Sequence, residues 1–250
     1  MKLHVTTWGG TDLPRTAVLL HGVTSNSQSW SRVGPALADV GFRCYAPDLR
    51  GHGVSPRSDG NYQLDKMLAD LTENLPLAPD LLVGHSFGGL LATLAAANEH
   101  MRPAGLVLED PVLVFADQEL PARLLAADEA NLPRDVEGTL RANPRWTRTD
   151  AEGKVASLRD LNWDHMRQVF SENAPWDVRG TVLEVARRIP TLLILPESSF
   201  YVPAADAHTL EQELGAANVV HVPGTGHSVH RDDLDAYLAA ITRWSGSRAS

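Results

Sequence analysis

The fold is decided by one short stretch, Gly84-His85-Ser86-Phe87-Gly88-Gly89. The apolar run Leu81-Leu82-Val83 precedes it and predicts a buried strand. Residues 90–97, which are mostly leucine and alanine, follow it and predict a helix. Ser86 is therefore expected on a sharp turn between a strand and a helix, which is the setting of a nucleophilic serine on a strained elbow. The backbone N–H groups that begin the helix would stabilise negative charge forming in front of Ser86.

Strands and helices alternate on both sides of this elbow. Helical periodicity predicts helices such as residues 64–75, and residues 1–10 predict an edge strand. Short apolar runs predict buried strands at residues 16–20, 42–46, 81–83, 106–108, 191–195 and 218–222. This alternation indicates an α/β fold with a mostly parallel, doubly wound sheet that is covered on both faces.

The alternation is interrupted between residues 112 and 180, where the chain has no apolar run of the kind that forms a buried strand. We predict a core made of residues 1–111 and 181–250, with residues 112–180 forming a small helical cap, or lid. Three tryptophans of this segment, Trp146, Trp163 and Trp176, are candidate substrate-binding residues. The alternative, that they form the core of the insertion, stays open.

Composition disfavours several classes of function. The 250 residues carry a formal net charge of -9 and no Lys/Arg-rich block, which disfavours nucleic-acid and anionic membrane partners. The single cysteine, Cys44, cannot form an internal disulfide. Residues 1–5 show no signal-peptide pattern, and no apolar run is long enough to cross a membrane. We therefore expect a soluble cytoplasmic protein. No histidine and carboxylate spacing suits a metal, so we expect neither a metal nor a cofactor.

Four motifs stand in a characteristic order along the chain. They are His21-Gly22, the stretch Asp48-Leu49-Arg50-Gly51-His52-Gly53-Val54-Ser55, the Ser86 elbow, and Gly226-His227 after the last predicted strand. Together they resemble the α/β-hydrolase family over residues 16–111 and 181–245. The resemblance implies the α/β-hydrolase fold and a catalytic triad in the chain order nucleophile, acid, histidine.

The resemblance also implies a role for each residue around the elbow. Ser86 would be the nucleophile and His227 the base that takes its proton, since an imidazole titrates near neutral pH. The oxyanion hole would consist of the backbone N–H of Phe87 and that of Val23. His85 is a rival base by proximity, although a residue next to the nucleophile on the elbow points elsewhere.

Two further histidines lie within these motifs, and a third follows the last motif by three residues. His21 and His52 are expected to form hydrogen bonds near the mouth of the site, and His230 is expected to be structural or to support the site residues.

The acid of the predicted triad has more than one candidate position. Many members of the family carry an aspartate shortly after the strand that is residues 191–195 here, but this chain has Ser199 at that position. A second arrangement in the family places the acid after the preceding strand, where this chain has Glu109-Asp110. That placement resembles pancreatic-type lipases, haloalkane dehalogenases and zearalenone-type lactonases. We predict Asp110 as the acid, with Glu197 and then Glu109 as alternatives.

These residues predict a serine hydrolase that cleaves a carboxylic ester or lactone through an acyl-enzyme, with a largely apolar substrate under the cap. A serine at position 86 argues against a haloalkane dehalogenase or an epoxide hydrolase, which require an aspartate there. Three alternatives remain: a ligand receptor on a hydrolase scaffold, a C–C bond hydrolase and a cofactor-free perhydrolase. The expected partner is a small-molecule substrate, and a homodimer is left open.

Overall fold

The computed structural model describes residues 1–57 and 60–246. A seven-stranded sheet in the order β1-β3-β2-β4-β5-β8-β9 forms its centre. The first strand runs antiparallel to its neighbour, and the others run parallel. The sheet strands are β1 (Val5–Trp8), β2 (Arg15–Leu20), β3 (Phe42–Pro47), β4 (Leu81–His85), β5 (Leu106–Glu109), β8 (Thr191–Pro196) and β9 (Val219–Val222), and a separate ribbon holds β6 (Val114–Phe115) and β7 (Trp176–Asp177).

Helices cover both faces of the sheet and form the insertion. They are α1 (Val33–Asp39), α2 (Leu64–Asn74), α3 (Phe87–Ala97), α4 (Glu119–Asn131), α5 (Val136–Ala142), α6 (Arg148–Asp160), α7 (Trp163–Asn173), α8 (Arg179–Ala186), α9 (Ala204–Leu214), α10 (Val229–Asp232) and α11 (Leu234–Gly246). Two short 3-10 helices span Ser27–Trp30 and Ala216–Asn218. No helix in the described ranges combines the length and the apolar content needed to cross a membrane.

Two apolar layers bury the sheet. One face packs on α2, α3, α8 and α9 and continues into the insertion, with fully buried leucines such as Leu90 and Leu91. The opposite face packs on α1 and α11 around Trp30, Tyr237 and Trp244. Strands buried on both faces read as continuous apolar runs, which is why the sequence reveals them. The predicted mostly parallel α/β fold with a helical insertion is confirmed.

The insertion contains helices α4 to α7 and also the two-residue ribbon of β6 and β7. The expectation of no buried strand in residues 112–180 is therefore wrong at Phe115, which is buried in β6. A strand of two residues shows no periodicity that a sequence could display. The helices themselves begin with recognisable signals: Thr147 and Asp150 form a reciprocal capping box at the start of α6.

The register of β4 and β5 brings the predicted nucleophile and acid to one edge of the sheet. His85 lies opposite Glu109, the last residue of each strand, so that Ser86 and Asp110 follow side by side. The Ser86 N–H donates to the Glu109 carbonyl at 3.0 Å. Parallel neighbours end at the same edge, and ligands of open α/β sheets bind there.

Candidate active site

Ser86 lies on a strained turn between β4 and α3. Its backbone has φ 56° and ψ −119°, a left-handed conformation that is uncommon for any residue other than glycine. Such conformations cost about 1–3 kcal/mol and cluster at functional sites. The carbonyl of Ser86 accepts from the N–H of Gly89 at 2.9 Å and starts the helix behind the turn. The side chain is consequently held at the sheet edge.

Two glycines permit the close approach of strand and helix at this turn. A Cβ on Gly84 would lie 2.3 Å from the Gly88 carbonyl oxygen, and a Cβ on Gly88 would lie 2.2 Å from the Leu20 carbonyl oxygen. Both contacts are to backbone, which cannot swing aside as a flexible side chain can. The elbow therefore requires glycine at both positions.

We expect the Gly88→Ala substitution to lower the free energy of unfolding by more than about 2 kcal/mol, because the added methyl group forces backbone apart. Gly180→Ala is the matched control, since no atom lies within 4 Å of a Cβ there. Gly180 lies in α8, so this control should be neutral or up to about 1 kcal/mol more stable. Urea denaturation measures both, and equal midpoints for Gly88→Ala and wild type would contradict the argument.

Asp110 and His227 form a direct contact at the edge of the sheet. The Nδ1 atom of His227 lies 2.6 Å from Oδ2 of Asp110, whose side chain is 1% exposed. An Nδ1–H that donates to this carboxylate leaves Nε2 as the basic nitrogen. His227 and Ser86 line the same cavity. The Ser86 hydroxyl has no hydrogen-bond partner among the described residues, and bonds of this kind often tighten when substrate binds.

The surroundings of Asp110 explain the serine at position 199. Ser199 Oγ donates to Oδ1 of Asp110 and accepts the Val202 N–H at 2.7 Å. Many family members carry the acid at the position of Ser199. Here Ser199 instead hydrogen-bonds the carboxylate of Asp110, which directly follows β5. Of the two alternative acids, Glu197 accepts from the Gly224 N–H at 2.8 Å, and Glu109 bonds to His230. Asp110 is the candidate acid that hydrogen-bonds His227.

His85, the rival base, bonds to the backbone of His227. Its Nε2 lies 2.8 Å from the His227 carbonyl oxygen, and the two rings pack with centroids 4.6 Å apart. Burial lowers the pKa of His85 well below its ordinary value. A neutral His85 can donate this hydrogen bond and hold the loop that carries His227.

The predicted oxyanion loop after β2 is held by two buried histidines. His21 Nδ1 donates to the Gly22 carbonyl at 2.8 Å, and His52 Nε2 donates to the Val23 carbonyl at 2.8 Å. Burial lowers the pKa of His21 to about 3 and also lowers the pKa of His52. Phe87 is the first residue of α3, and N–H groups in a first helical turn lack intrahelical partners. Val23 and Phe87 both border Ser86.

Ser86 borders two cavities that differ in size and polarity. The larger is a cavity of about 290 Å³ whose lining includes His227 and the charged residues Asp128, Lys154 and Arg231. The smaller is an apolar cleft of about 20 Å³ lined by Phe115, Leu125, Phe170 and their neighbours. Within the described ranges no cluster of three or more His, Cys, Asp or Glu side chains could hold a metal ion.

The structure separates the three candidate tryptophans. Trp146 lines the larger cavity, and its Nε1 donates to Asp232 at 3.0 Å. Trp176 stacks on Phe170 and donates to the Val112 carbonyl at 3.3 Å. Trp163 packs on the apolar core. Neither Trp163 nor Trp176 is among the residues that line the two spaces beside Ser86.

His230 belongs to a buried chain of hydrogen bonds behind the cavity, in keeping with the expectation that it supports the site residues, but sequence reasoning missed the chain itself. Arg231 Nη2 donates to Ser29 Oγ at 3.0 Å, Ser29 lies 3.1 Å from His230 Nε2, and His230 Nδ1 lies 2.8 Å from Glu109. Burial lowers the pKa of His230 and raises that of Glu109. Lys154, on α6, was missed as well. No periodicity links residues from such distant parts of the chain, so no sequence signal was available.

The model of a family described as the alpha/beta hydrolase family matches residues 17–240. An sn-1-specific diacylglycerol lipase, ABHD11 of Mus musculus, is 27% identical over 94% of this chain and 81% of its own length. Lipase LipV of Mycobacterium tuberculosis is 37% identical over 46% of this chain and 44% of its own. The esterase EaEST from Exiguobacterium antarcticum superposes with a TM-score of 0.76 at 17% identity, over 97% of this chain and 94% of that one.

Proposed function

The chain belongs to the alpha/beta hydrolase family, and we propose that it is a serine hydrolase that cleaves a carboxylic ester or lactone through an acyl-enzyme. The observation that carries the proposal is the 2.6 Å contact between His227 and the buried Asp110, beside a serine on a strained elbow. The similarity to lipases and esterases supports the same reaction type.

In the first half of the proposed reaction, Ser86 attacks the carbonyl carbon while His227 Nε2 takes the hydroxyl proton. A serine hydroxyl is a weak nucleophile until a base removes this proton. Asp110 keeps the imidazole in the required tautomer and stabilises the imidazolium that forms. The N–H groups of Val23 and Phe87 stabilise the tetrahedral oxyanion, where each donor is worth about 3–4 kcal/mol.

In the second half, His227 gives its proton to the leaving alcohol, and the acyl group stays on Ser86. A water molecule then attacks the acyl-enzyme, with His227 again acting as base. His227 then gives the proton taken from water to Ser86 Oγ as the bond between Oγ and the acyl carbon breaks, and the carboxylate product leaves. The two carbonyl hydrogen bonds from His21 and His52 keep the oxyanion loop in one conformation through both halves, so that its donor needs no reorganisation.

The spaces beside Ser86 suit a small substrate with one apolar part. The cleft of about 20 Å³ has room for about one methyl group and is lined mostly by apolar side chains, whereas the larger cavity is lined by both polar and apolar side chains. The sequence predicted a largely apolar substrate, but we now propose that only the part of the substrate that faces this cleft is apolar. Trp146 is the cap tryptophan that we propose to contact substrate, because it lines the larger cavity.

The proposal is tested by incubating the protein with 4-nitrophenyl acetate and butyrate in excess. We expect steady release of nitrophenolate over many turnovers. Release of a single equivalent would instead favour a ligand receptor. Turnover of β-diketones or peroxide-dependent halogenation, without ester turnover, would favour a C–C bond hydrolase or a perhydrolase.

A further inference from the structure

Two cations are buried in the larger cavity beside Ser86. Lys154 comes from α6 and is 9% exposed, and Arg231 comes from α10 and is 4% exposed. Burying a charge is costly, so buried lysines and arginines normally have an anionic partner. In the described part of the chain neither cation has a carboxylate oxygen within 4.0 Å. Both charges therefore lack a direct anionic partner.

The direct partners of the two cations are uncharged: neutral oxygens for both, and for Arg231 also the Trp146 ring, whose centroid lies 4.6 Å from Cζ. Lys154 Nζ donates to the carbonyl and the hydroxyl of Thr24, both at 2.8 Å. Arg231 Nη2 donates to Ser25 Oγ at 3.3 Å and to Ser29 Oγ at 3.0 Å, while its buried Nε has no partner. An ammonium has three donors and a guanidinium five, so donors remain on both. Asp150, Glu109 and Asp232 attract the Arg231 charge from longer range, although none of them forms an ion pair with it.

The charges that line the cavity favour a ligand that carries a negative charge. Two cations and a single acidic side chain, Asp128, belong to its lining. A neutral ligand would leave the cations without a direct anionic partner. The volume of about 290 Å³ is enough for a short acid.

On the basis of the proposed esterase function, we propose that this cavity binds a free carboxylate of the substrate, so that the protein prefers esters that carry a second, ionised carboxyl group. Lys154 and Arg231 form charge-assisted hydrogen bonds to that carboxylate. A site built around buried donors rejects an analogue that lacks the matching acceptor, because the donors are then left unpaired.

The test measures binding to the Ser86→Ala protein by calorimetry, so that no turnover is needed. Two ligand pairs differ only in charge: mono-4-nitrophenyl adipate and its terminal amide, and 4-acetoxybutanoate and its amide. The first pair places the carboxylate on the acid part of the ester and the second on the alcohol part. We expect at least one carboxylate to bind about 10-fold or more tightly than its amide.

Substitution of the cations should remove this preference. In Ser86→Ala, adding Lys154→Met or Arg231→Gln should bring the carboxylate and the amide to within about threefold of each other. Lys66→Met is the matched control, because Lys66 is exposed on α2 and does not line the cavity. It should retain the preference. Thermal unfolding checks that each variant is folded. Because the two cations are substituted separately, the test still holds if one of the two variants fails to fold.

The pH dependence gives a second readout. Burial lowers the pKa of Lys154 to about 7, and the charged groups around it are Arg231, Asp128 and Arg134. Burial lowers the pKa of Arg231 to about 10, so Arg231 stays charged at neutral pH. Because a carboxylate binds the protonated lysine, the preference should decrease as the pH rises from about 6 to 9. The decrease should be smaller in Lys154→Met, where His227 and Asp128 remain as titratable groups of the lining.

The outcomes separate this inference from the proposed function. Equal affinity within both ligand pairs, or a preference that survives both substitutions, overturns the carboxylate site even if wild-type protein turns over neutral esters. Absence of ester turnover overturns the proposed function even if the binding preference is found.

Discussion

The Ser86→Ala variant should lose about four to six orders of magnitude in kcat for 4-nitrophenyl esters. The substitution removes the hydroxyl that forms the acyl-enzyme, and no other group at the elbow can replace it. The residual rate comes from the oxyanion donors and from substrate binding. Alanine can adopt the backbone conformation of residue 86 at about the same cost as serine, so the melting temperature should change little. The kcat value is measured from progress curves of nitrophenolate release.

Ser198→Ala is the control for this experiment, because Ser198 is exposed and lies outside the cavity. Its kcat should stay within about threefold of wild type, as expected for surface substitutions. A fluorophosphonate should label wild type and Ser198→Ala at one site and should not label Ser86→Ala. Full activity in Ser86→Ala would show that another residue is the nucleophile.

Asp110→Asn should lower kcat by about three to four orders of magnitude, because an amide favours the wrong tautomer of His227. The carboxyl group is 1% exposed and lies 2.6 Å from the imidazole. Since the amide has nearly the same shape, Ser199 and the backbone contact to Ile194 can be retained. The measurement is kcat and kcat/KM with one neutral ester, together with circular dichroism to verify the fold.

Glu197→Gln is the matched control, since it makes the same chemical change at the alternative acid. Glu197 is exposed and accepts from the Gly224 N–H. We expect kcat to change by less than about threefold. The opposite pattern, a severe effect of Glu197→Gln and a mild effect of Asp110→Asn, would assign the acid to the position after β8.

Local sequence determined the fold and the identity of the candidate nucleophile. Buried strands such as β4 are continuous apolar runs, and the elbow needs glycine two residues on either side of Ser86 because backbone atoms approach there to within van der Waals contact. Both features are encoded by adjacent residues, so they can be recognised without coordinates. The family membership that the motifs implied is confirmed by the match over residues 17–240.

Which acid contacts His227 was decided only by the tertiary structure. Asp110, Glu109 and Glu197 are chemically similar and all follow or end strands, so no local pattern ranks them with certainty. The parallel register of β4, β5 and β8 places Asp110 beside both His227 and Ser199. The role of Asp110 in catalysis stays a prediction until the variants are measured.

The character of the larger cavity beside Ser86 was likewise set by packing alone. The sequence indicated aromatic residues in the cap, but folding brings one of the three candidate tryptophans to the cavity and adds Lys154 and Arg231 beside it. These residues come from α6 and α10, far apart in the chain, and each looks like an ordinary surface residue when read locally. Sequence encodes contacts between neighbours along the chain, whereas burial and charge pairing depend on which distant segments meet.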